Sequence, residues 1–292
     1  MAENNSKFQK YEVWFITGSQ HLYGDETLRQ VAVNSKEMAA FLDDKLPCRI
    51  VWKDTVKTVS EISNTLRDAE NCESCIGVIT WMHTFSPSKM WIEGLNLITK
   101  PICHLHTQYN EKLPYSTIDM DFMNLNQAAH GDREHGFIYA RMRKARKVVV
   151  GYWKEEDTLC QIEAFIRAAV GYQASKSIKI CRFGDNMRDV AVTEGDKVAA
   201  QIKLGWSVNG YGIGDLVEYA DKVTDVEIDA LMNKYSEKYD IVTDDLKSVR
   251  EQAKYEIAIE KFLEKGDFGG FTTTFEDLRG LMPISYIFFH NY

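Results

Sequence analysis

Val13-Trp14-Phe15-Ile16-Thr17-Gly18 is an apolar, β-branched and aromatic run closed by a glycine. It reads as a buried β-strand. The polar loop SQHLYG (19–24) follows, and then a helix with Leu28, Val31, Met38 and Leu42 on one face, stopped by Pro47. This strand–loop–helix unit recurs. RIVWK precedes a helix through Ile62, Leu66 and Ala69, and IGVITWM precedes a helix through Met90, Trp91, Leu95 and Ile98. PICHLH is followed by an irregular stretch and a helix over about Met123–Lys144, and KVVVGYW by a helix over about Glu155–Gln173. Five βα units in succession predict an α/β domain with a mostly parallel sheet covered on both faces.

The polar stretch QASKS (Gln173–Ser177) marks a boundary, after which the pattern restarts. IKICRFGD reads as a strand, the next segment as a helix containing Val198, Ala199 and Ile202, and GDLVEYA (Gly214–Ala220) as strand-like. Helices are expected around Val226–Tyr239 and Leu246–Lys265, the second with a stripe of Leu246, Val249, Ala253 and Ile257, before a last strand GGFTTTF. The expected architecture is therefore two consecutive open parallel-sheet domains of the Rossmann or flavodoxin-like kind, residues 1–175 and 176–281, the second incomplete. A length of 292 residues agrees with two domains of about 150 residues each.

Composition narrows the function. The net charge of −8 argues against nucleic acid or an anionic membrane surface as partner, because both need a basic face. No apolar run approaches the ~20 residues of a membrane span, and the polar opening MAENNSKFQK does not read as a secretory signal. A cytoplasmic protein is expected. Six scattered cysteines, including the CESC pair Cys72 and Cys75, read as reduced structural thiols rather than half a zinc site or a redox pair.

Ligands of open parallel sheets bind at the carboxyl ends of the strands. That rule selects Gln20 and His21, His83 to Phe85, His106 and Gln108, and then Asp185 and Met187. Polar, aromatic and uncharged to acidic, these residues suit a polyhydroxylated small molecule better than a phosphate. The first loop lacks G-x-G-x-x-G, and no G-x-x-x-x-G-K-[ST] occurs. Gly210, Gly212 and Gly214 form G-x-G-x-G, but the expected order is helix then strand, the reverse of what a pyrophosphate needs. Metal candidates are His104 and His106 on one strand face, His130, Glu134 and His135 in HGDREH, Asp119 and Asp121 in DMD, and the adjacent Glu276 and Asp277. HGDREH is not HExxH, and the simpler expectation is that these histidines hydrogen-bond within strand-end loops or meet a sugar. No nucleophile-elbow sequence is present.

Five long stretches carry the reading further: YEVWFITGSQHLYGDETLRQV, HTFSPSKMWI, STIDMDFMNLNQAAHGDREHGFI, CRFGDNMRDVAVTEGDKVAAQIK and FTTTFEDLRGL. In this order, through Leu281, the chain resembles the L-arabinose isomerases. The resemblance implies the fucose/arabinose isomerase fold and interconversion of L-arabinose and L-ribulose, with D-galactose and D-tagatose as a second pair. It also implies a homo-trimer or hexamer and Mn2+ as the usual metal. Such a metal polarises the carbonyl, while a carboxylate moves the proton between C1 and C2 through an ene-diol. By resemblance, Gln20, Leu22, Phe85 and Gln127 reach from the first domain into a neighbouring subunit's site, while Met187 and Phe275 line the subunit's own. The family's four metal ligands, two Glu and two His, lie beyond FTTTFEDL, as does a C-terminal barrel domain. Met282–Tyr292 does not resemble the family, and its window ISYIFF is of the aggregation-prone kind. The expectation is a truncated isomerase chain, inactive alone, in which the catalytic and metal-ligand residues are missing. Two alternatives remain: a non-catalytic sugar-binding or regulatory subunit that keeps only the pocket wall, and a periplasmic-type sugar-binding protein, which the lack of a signal segment disfavours.

Overall fold

The computed structural model describes residues 8–274 and 276. The chain divides into two compact units, Met1–Gln173 and Ala174–Tyr292. Phe275, Asp277 and the Met282–Tyr292 tail lie outside the described residues, and so do the expectations attached to them.

The first unit contains β1 (Glu12–Gly18), α1 (Gly24–Lys45), β2 (Arg49–Trp52), α2 (Val59–Asn71), β3 (Cys75–Met82), α3 (Ile92–Leu97), β4 (Ile102–His106), α4 (Met120–Leu125), α5 (Ala128–Met142) and β5 (Lys147–Val150). It ends in α6 (Glu156–Lys176), whose last residues belong to the second unit. The sheet order is β2-β1-β3-β4-β5, and every pairing is parallel. Strand alternation sends Val13 and Phe15 to one face, with Met38, Leu42, Trp81 and Ile166, and Trp14 and Ile16 to the other, with Ile62, Leu66 and Trp91. Both faces are buried, which is why VWFITG is apolar throughout. Helix α1 ends where Leu46 turns extended before Pro47, since a pre-proline residue disfavours the helical conformation.

The second unit contains β6 (Lys179–Phe183), α7 (Lys197–Leu204), β7 (Ser207–Tyr211), α8 (Ile213–Ala220), α9 (Asp225–Lys238), α10 (Leu246–Gly266) and β8 (Gly270–Thr273). Its three-stranded sheet, β7-β6-β8, is again parallel. Cys181 and Phe183 pack with Leu216, Ile259 and Phe262 of α8 and α10. The fold is thus α/β with two consecutive parallel-sheet, Rossmann-like units.

Three expectations need correction. GDLVEYA is helical, with Ile213, Leu216 and Ala220 buried at helical spacing, and the strand is the preceding SVNGY. Gly210 and Gly212 therefore lie on a strand-to-helix turn, opposite to the expected order. The Asp215 carboxylate accepts the Gly212 N–H at 3.1 Å and fills the start of α8 with negative charge, so an anion there would meet like charge. The continuous helix expected over Met123–Lys144 is two helices, because Asn126 and Gln127 leave helical geometry between them.

Candidate functional site

In the order β2-β1-β3-β4-β5, the chain leaves β1 for one side of the sheet and returns as β3 on the other. This is the switch point at which open α/β sheets form a crevice beyond the strand ends. A buried polar layer builds its floor. Ser19 Oγ lies 2.7 Å from Thr84 Oγ1, joining the loops after β1 and β3, and Thr17 Oγ1 lies 2.6 Å from Ser35 Oγ on α1. Asn34 Nδ2 lies 2.8 Å from His83 Nε2. Burial pulls His83 down to about 4, so its ring is neutral at pH 7.

Over this floor stand the sequence-selected residues. Gln20, in extended conformation before the single 3-10 turn His21–Tyr23, donates from Nε2 to the Phe85 carbonyl at 3.2 Å. The Gln127 N–H is donated to the His83 carbonyl at 2.9 Å, and its Oε1 accepts from the Tyr23 hydroxyl at 3.4 Å. That tertiary bond replaces a helical one and explains the break between α4 and α5. The Phe85 ring is tilted against the His130 ring at 4.8 Å between centroids. Leu22 is 83% exposed beside them, an apolar side chain offered to solvent. Gln20, Phe85 and Gln127 are thus brought to one edge. The resulting surface combines amide groups, one aromatic ring and one leucine, a set able to hold hydroxyls and a C–H face.

In the second unit Met187 is half-buried and takes a hydrogen bond from its N–H to Thr193 Oγ1 at 3.1 Å. It lines a cleft of about 470 Å3 that runs along one face of the small sheet, from Trp206 just before β7, past Arg182, to Asp185 and Thr274 beyond the ends of β6 and β8. Arg182 is directed along this wall by its hydrogen bond to Asn186.

The metal candidates take structural partners. His104 Nε2 and His106 Nε2 both approach the Asp132 carboxylate, at 2.6 and 3.1 Å, and His104 Nδ1 lies 2.9 Å from Thr80 Oγ1. Glu134 accepts the Ser88 N–H, His135 Nδ1 lies 3.3 Å from Ser88 Oγ, and Asp119 caps α4 through the Phe122 N–H. Burial, helped by His104 and Arg146, holds His135 well below the usual histidine range. Glu276 accepts the Arg188 N–H at 2.9 Å. Among the described residues no group of three or more His, Cys, Asp or Glu could hold a metal ion, so the residues present do not fit the metal that the family resemblance implies. All six cysteines are free, and burial pushes Cys75 up to about 11 and Cys103 to about 12. Among the described residues no helix is long and apolar enough to cross a membrane.

Sequence reasoning passed over Asp132, Ser19 and Tyr23. Asp132 stood inside HGDREH, and its spacing from His104 and His106 follows no local pattern. Only the docking of α5 on β4 brings the three together.

Comparison with known proteins gives these surfaces a context. Residues 7–177 match the family described as L-arabinose isomerase N-terminal domain, and residues 179–287 match the L-arabinose isomerase central domain. The chain is 54% identical over 284 residues to the L-arabinose isomerase of Herpetosiphon aurantiacus, covering 94% of this chain and 57% of that protein. It is 54% identical over 282 residues to that of Geobacillus stearothermophilus, with the same coverage. For the enzyme of Thermotoga maritima the figures are 53% over 277 residues, 94% of this chain and 56% of that protein. The chain spans a little over half the length of these curated relatives. At this identity, through both units, the chain belongs to the L-arabinose isomerase family.

Proposed function

We propose that this protein is part of a cytoplasmic L-arabinose isomerase, an aldose–ketose isomerase that also accepts D-galactose. Its domains lie at 1–175 and 176–281. Gln20, Leu22, Phe85 and Gln127 contact sugar bound to a neighbouring subunit of a homo-trimer or hexamer, and Met187 and Phe275 contact sugar in the subunit's own site. The observation that carries this reading is the convergence of Gln20, Phe85 and Gln127 at the β1/β3 switch point, held by the 3.2 Å bond to Phe85 and the 2.9 Å bond to His83.

The contribution of these residues is positioning. The amides of Gln20 and Gln127 direct donors and acceptors at sugar hydroxyls, while Phe85 and Leu22 cover a C–H face and exclude water. Mn2+ serves the complete enzyme. The described residues offer no site for it. In this reading the acid–base carboxylates and the four metal ligands are not among the 292 residues, and the chain by itself does not turn over L-arabinose. The test is an assay of the purified chain with Mn2+ and L-arabinose. Turnover near that of a complete family member sinks the reading.

A further inference from the structure

The first unit leaves one border of its sheet uncovered. β5 is the outer strand in the order β2-β1-β3-β4-β5, so the N–H and C=O groups on its far side meet no strand among the described residues. Val149 is buried, but Val148 and Val150 are 37% and 61% exposed. They pair in register with His104 and His106, whose side chains meet Asp132 of α5. The two valines therefore share the face on which α5 lies, and their exposure shows that α5 does not reach over them.

At the end of β5, Val150 lines one cleft with Leu113 and Phe122. From there Leu113, Tyr115, Ile118, Met120 and Met123 are 40–82% exposed, five large apolar side chains within eleven residues. Apolar side chains gathered in this way mark a surface for contact with another protein. Charge divides the border into two ends. Before and at the start of β5 stand Arg141, Arg143, Lys144, Arg146 and Lys147, with no acidic residue among 141–147. Lys144 donates to the Ile98 carbonyl, and Arg146 lies 4.9 Å from the centre of the Tyr139 ring. Arg141, Arg143 and Lys147 are exposed and form no ion pair among the described residues. The α5 dipole favours cations in its last turn, but Lys147 lies beyond it, on the strand. The far end carries Glu111, Asp119 and Asp121 against the single cation Lys112.

A second copy of the chain answers all of these features at once. With its β5 antiparallel to the first, the basic end of each copy faces the acidic end of the other, and does so twice, because a two-fold contact is self-complementary. A parallel arrangement would set like charge against like. The exposed valines and the apolar side chains of 113–123 supply the area that such a contact covers. A nucleic acid would fit the basic end alone and leave the apolar and acidic parts in solvent. We propose that this border is a two-fold interface between copies of this chain, with β5 antiparallel to its counterpart and 141–147 of each copy facing 111–121 of the other. The inference rests on the homo-oligomer reading above, and it selects the hexamer over the trimer, because a trimer alone has no two-fold contact.

The experiment is sedimentation of the full chain at about 1–100 μM, in low salt and in about 0.5 M salt. Expected is an association that weakens by about tenfold in the higher salt. Arg141→Glu with Lys147→Glu should weaken it by at least about tenfold, and so should Glu111→Lys with Asp121→Lys. All four side chains are exposed, so the core is untouched. The chain carrying all four reversals should return to within about threefold of the unmodified one, which a merely misfolded variant cannot do. Hydrogen exchange at 147–150 should slow as the chain associates. An oligomer indifferent to both pairs of reversals overturns the interface and leaves the homo-oligomer reading standing. Reversals that each weaken association without recovery in the fourfold variant overturn the pairing of the two ends. A chain that stays monomeric at about 100 μM overturns both readings, and heparin binding by that monomer assigns the basic end to a polyanion instead.

Discussion

Asp132 is a buried polar group whose removal should destabilise the first unit. Its carboxylate is 1% exposed and hydrogen-bonds His104 Nε2 at 2.6 Å through Oδ1, while His106 Nε2 stands 3.1 Å from Oδ2 without forming a hydrogen bond. His104 is 3% exposed and its other nitrogen meets Thr80, so in Asp132→Ala it keeps a buried N–H with no acceptor. His106 is 37% exposed and can turn to water. Leaving that buried donor unsatisfied costs about 1–3 kcal/mol. For a unit of this size each kcal/mol moves the melting point by about 2–4 °C, so Asp132→Ala should lower Tm by about 2–12 °C. His106→Ala should cost about 1 kcal/mol or less, the range of exposed pairs. Five of the six tryptophans, Trp14, Trp52, Trp81, Trp91 and Trp153, lie in the first unit, so tryptophan emission during heating and urea unfolding reads this loss locally. A Tm drop under about 2 °C for Asp132→Ala, or equal losses for Asp132→Ala and His106→Ala, would refute the assignment of the cost to the buried His104 contact.

Two further outcomes follow from packing and burial. His83 binds its proton near pH 4 when folded against 6.5 in the open chain, so between these values the unfolded state holds more protons and stability rises with pH. The contribution is fully present above pH 6.5 and lost as pH falls to 4, about 3 kcal/mol in all, and His83→Gln should flatten the urea-midpoint profile across that window. At Gly77 a Cβ would stand 2.8 Å from the Pro101 carbonyl oxygen and 3.4 Å from Phe165, a backbone contact that cannot yield cheaply. Gly77→Ala should therefore cost about 1–3 kcal/mol in urea unfolding, and a neutral result would show that the β3–β4 spacing is looser than drawn.

Strands β1, β3 and β4 were legible because each is buried on both faces, so apolar runs such as VWFITG and IGVITWM needed no alternation to be recognised, and the edge strands β2 and β5 because each keeps a short β-branched run. Legibility failed where one of these conditions was missing. Strand β7 is an edge strand whose Asn209 and Gly210 are exposed, and its sequence SVNGY carries no apolar run. The apolar content of the next segment drew the strand assignment instead, although Ile213, Leu216 and Ala220 are spaced as a helix face. Position along the chain sufficed to place Gln20, Phe85 and Met187 beyond strand ends, because strand ends are local features. It could not produce the His104–Asp132–His106 contact, in which Asp132 lies 28 and 26 residues from the two histidines and meets them only through the tertiary docking of α5.

That docking also explains why Gln127 can belong to the same edge as Gln20. The helix of α4 could have continued into α5, since no proline or glycine interrupts NLNQAAH. The break lets Gln127 donate its N–H to His83, at the end of β3, and one turn later the helix is pinned to β4 by Asp132. Gly131 lies between these two anchors, where a Cβ would come 3.0 Å from Met82 Cβ, so the helix approaches β3 as closely as a glycine permits. Two polar anchors flanking a close backbone approach fix both the height and the rotation of the first turn of α5. The orientation of Gln127 is thus set by buried chemistry several residues away, and changes at Asp132 should reach the Gln20–Phe85–Gln127 edge without touching any residue on it.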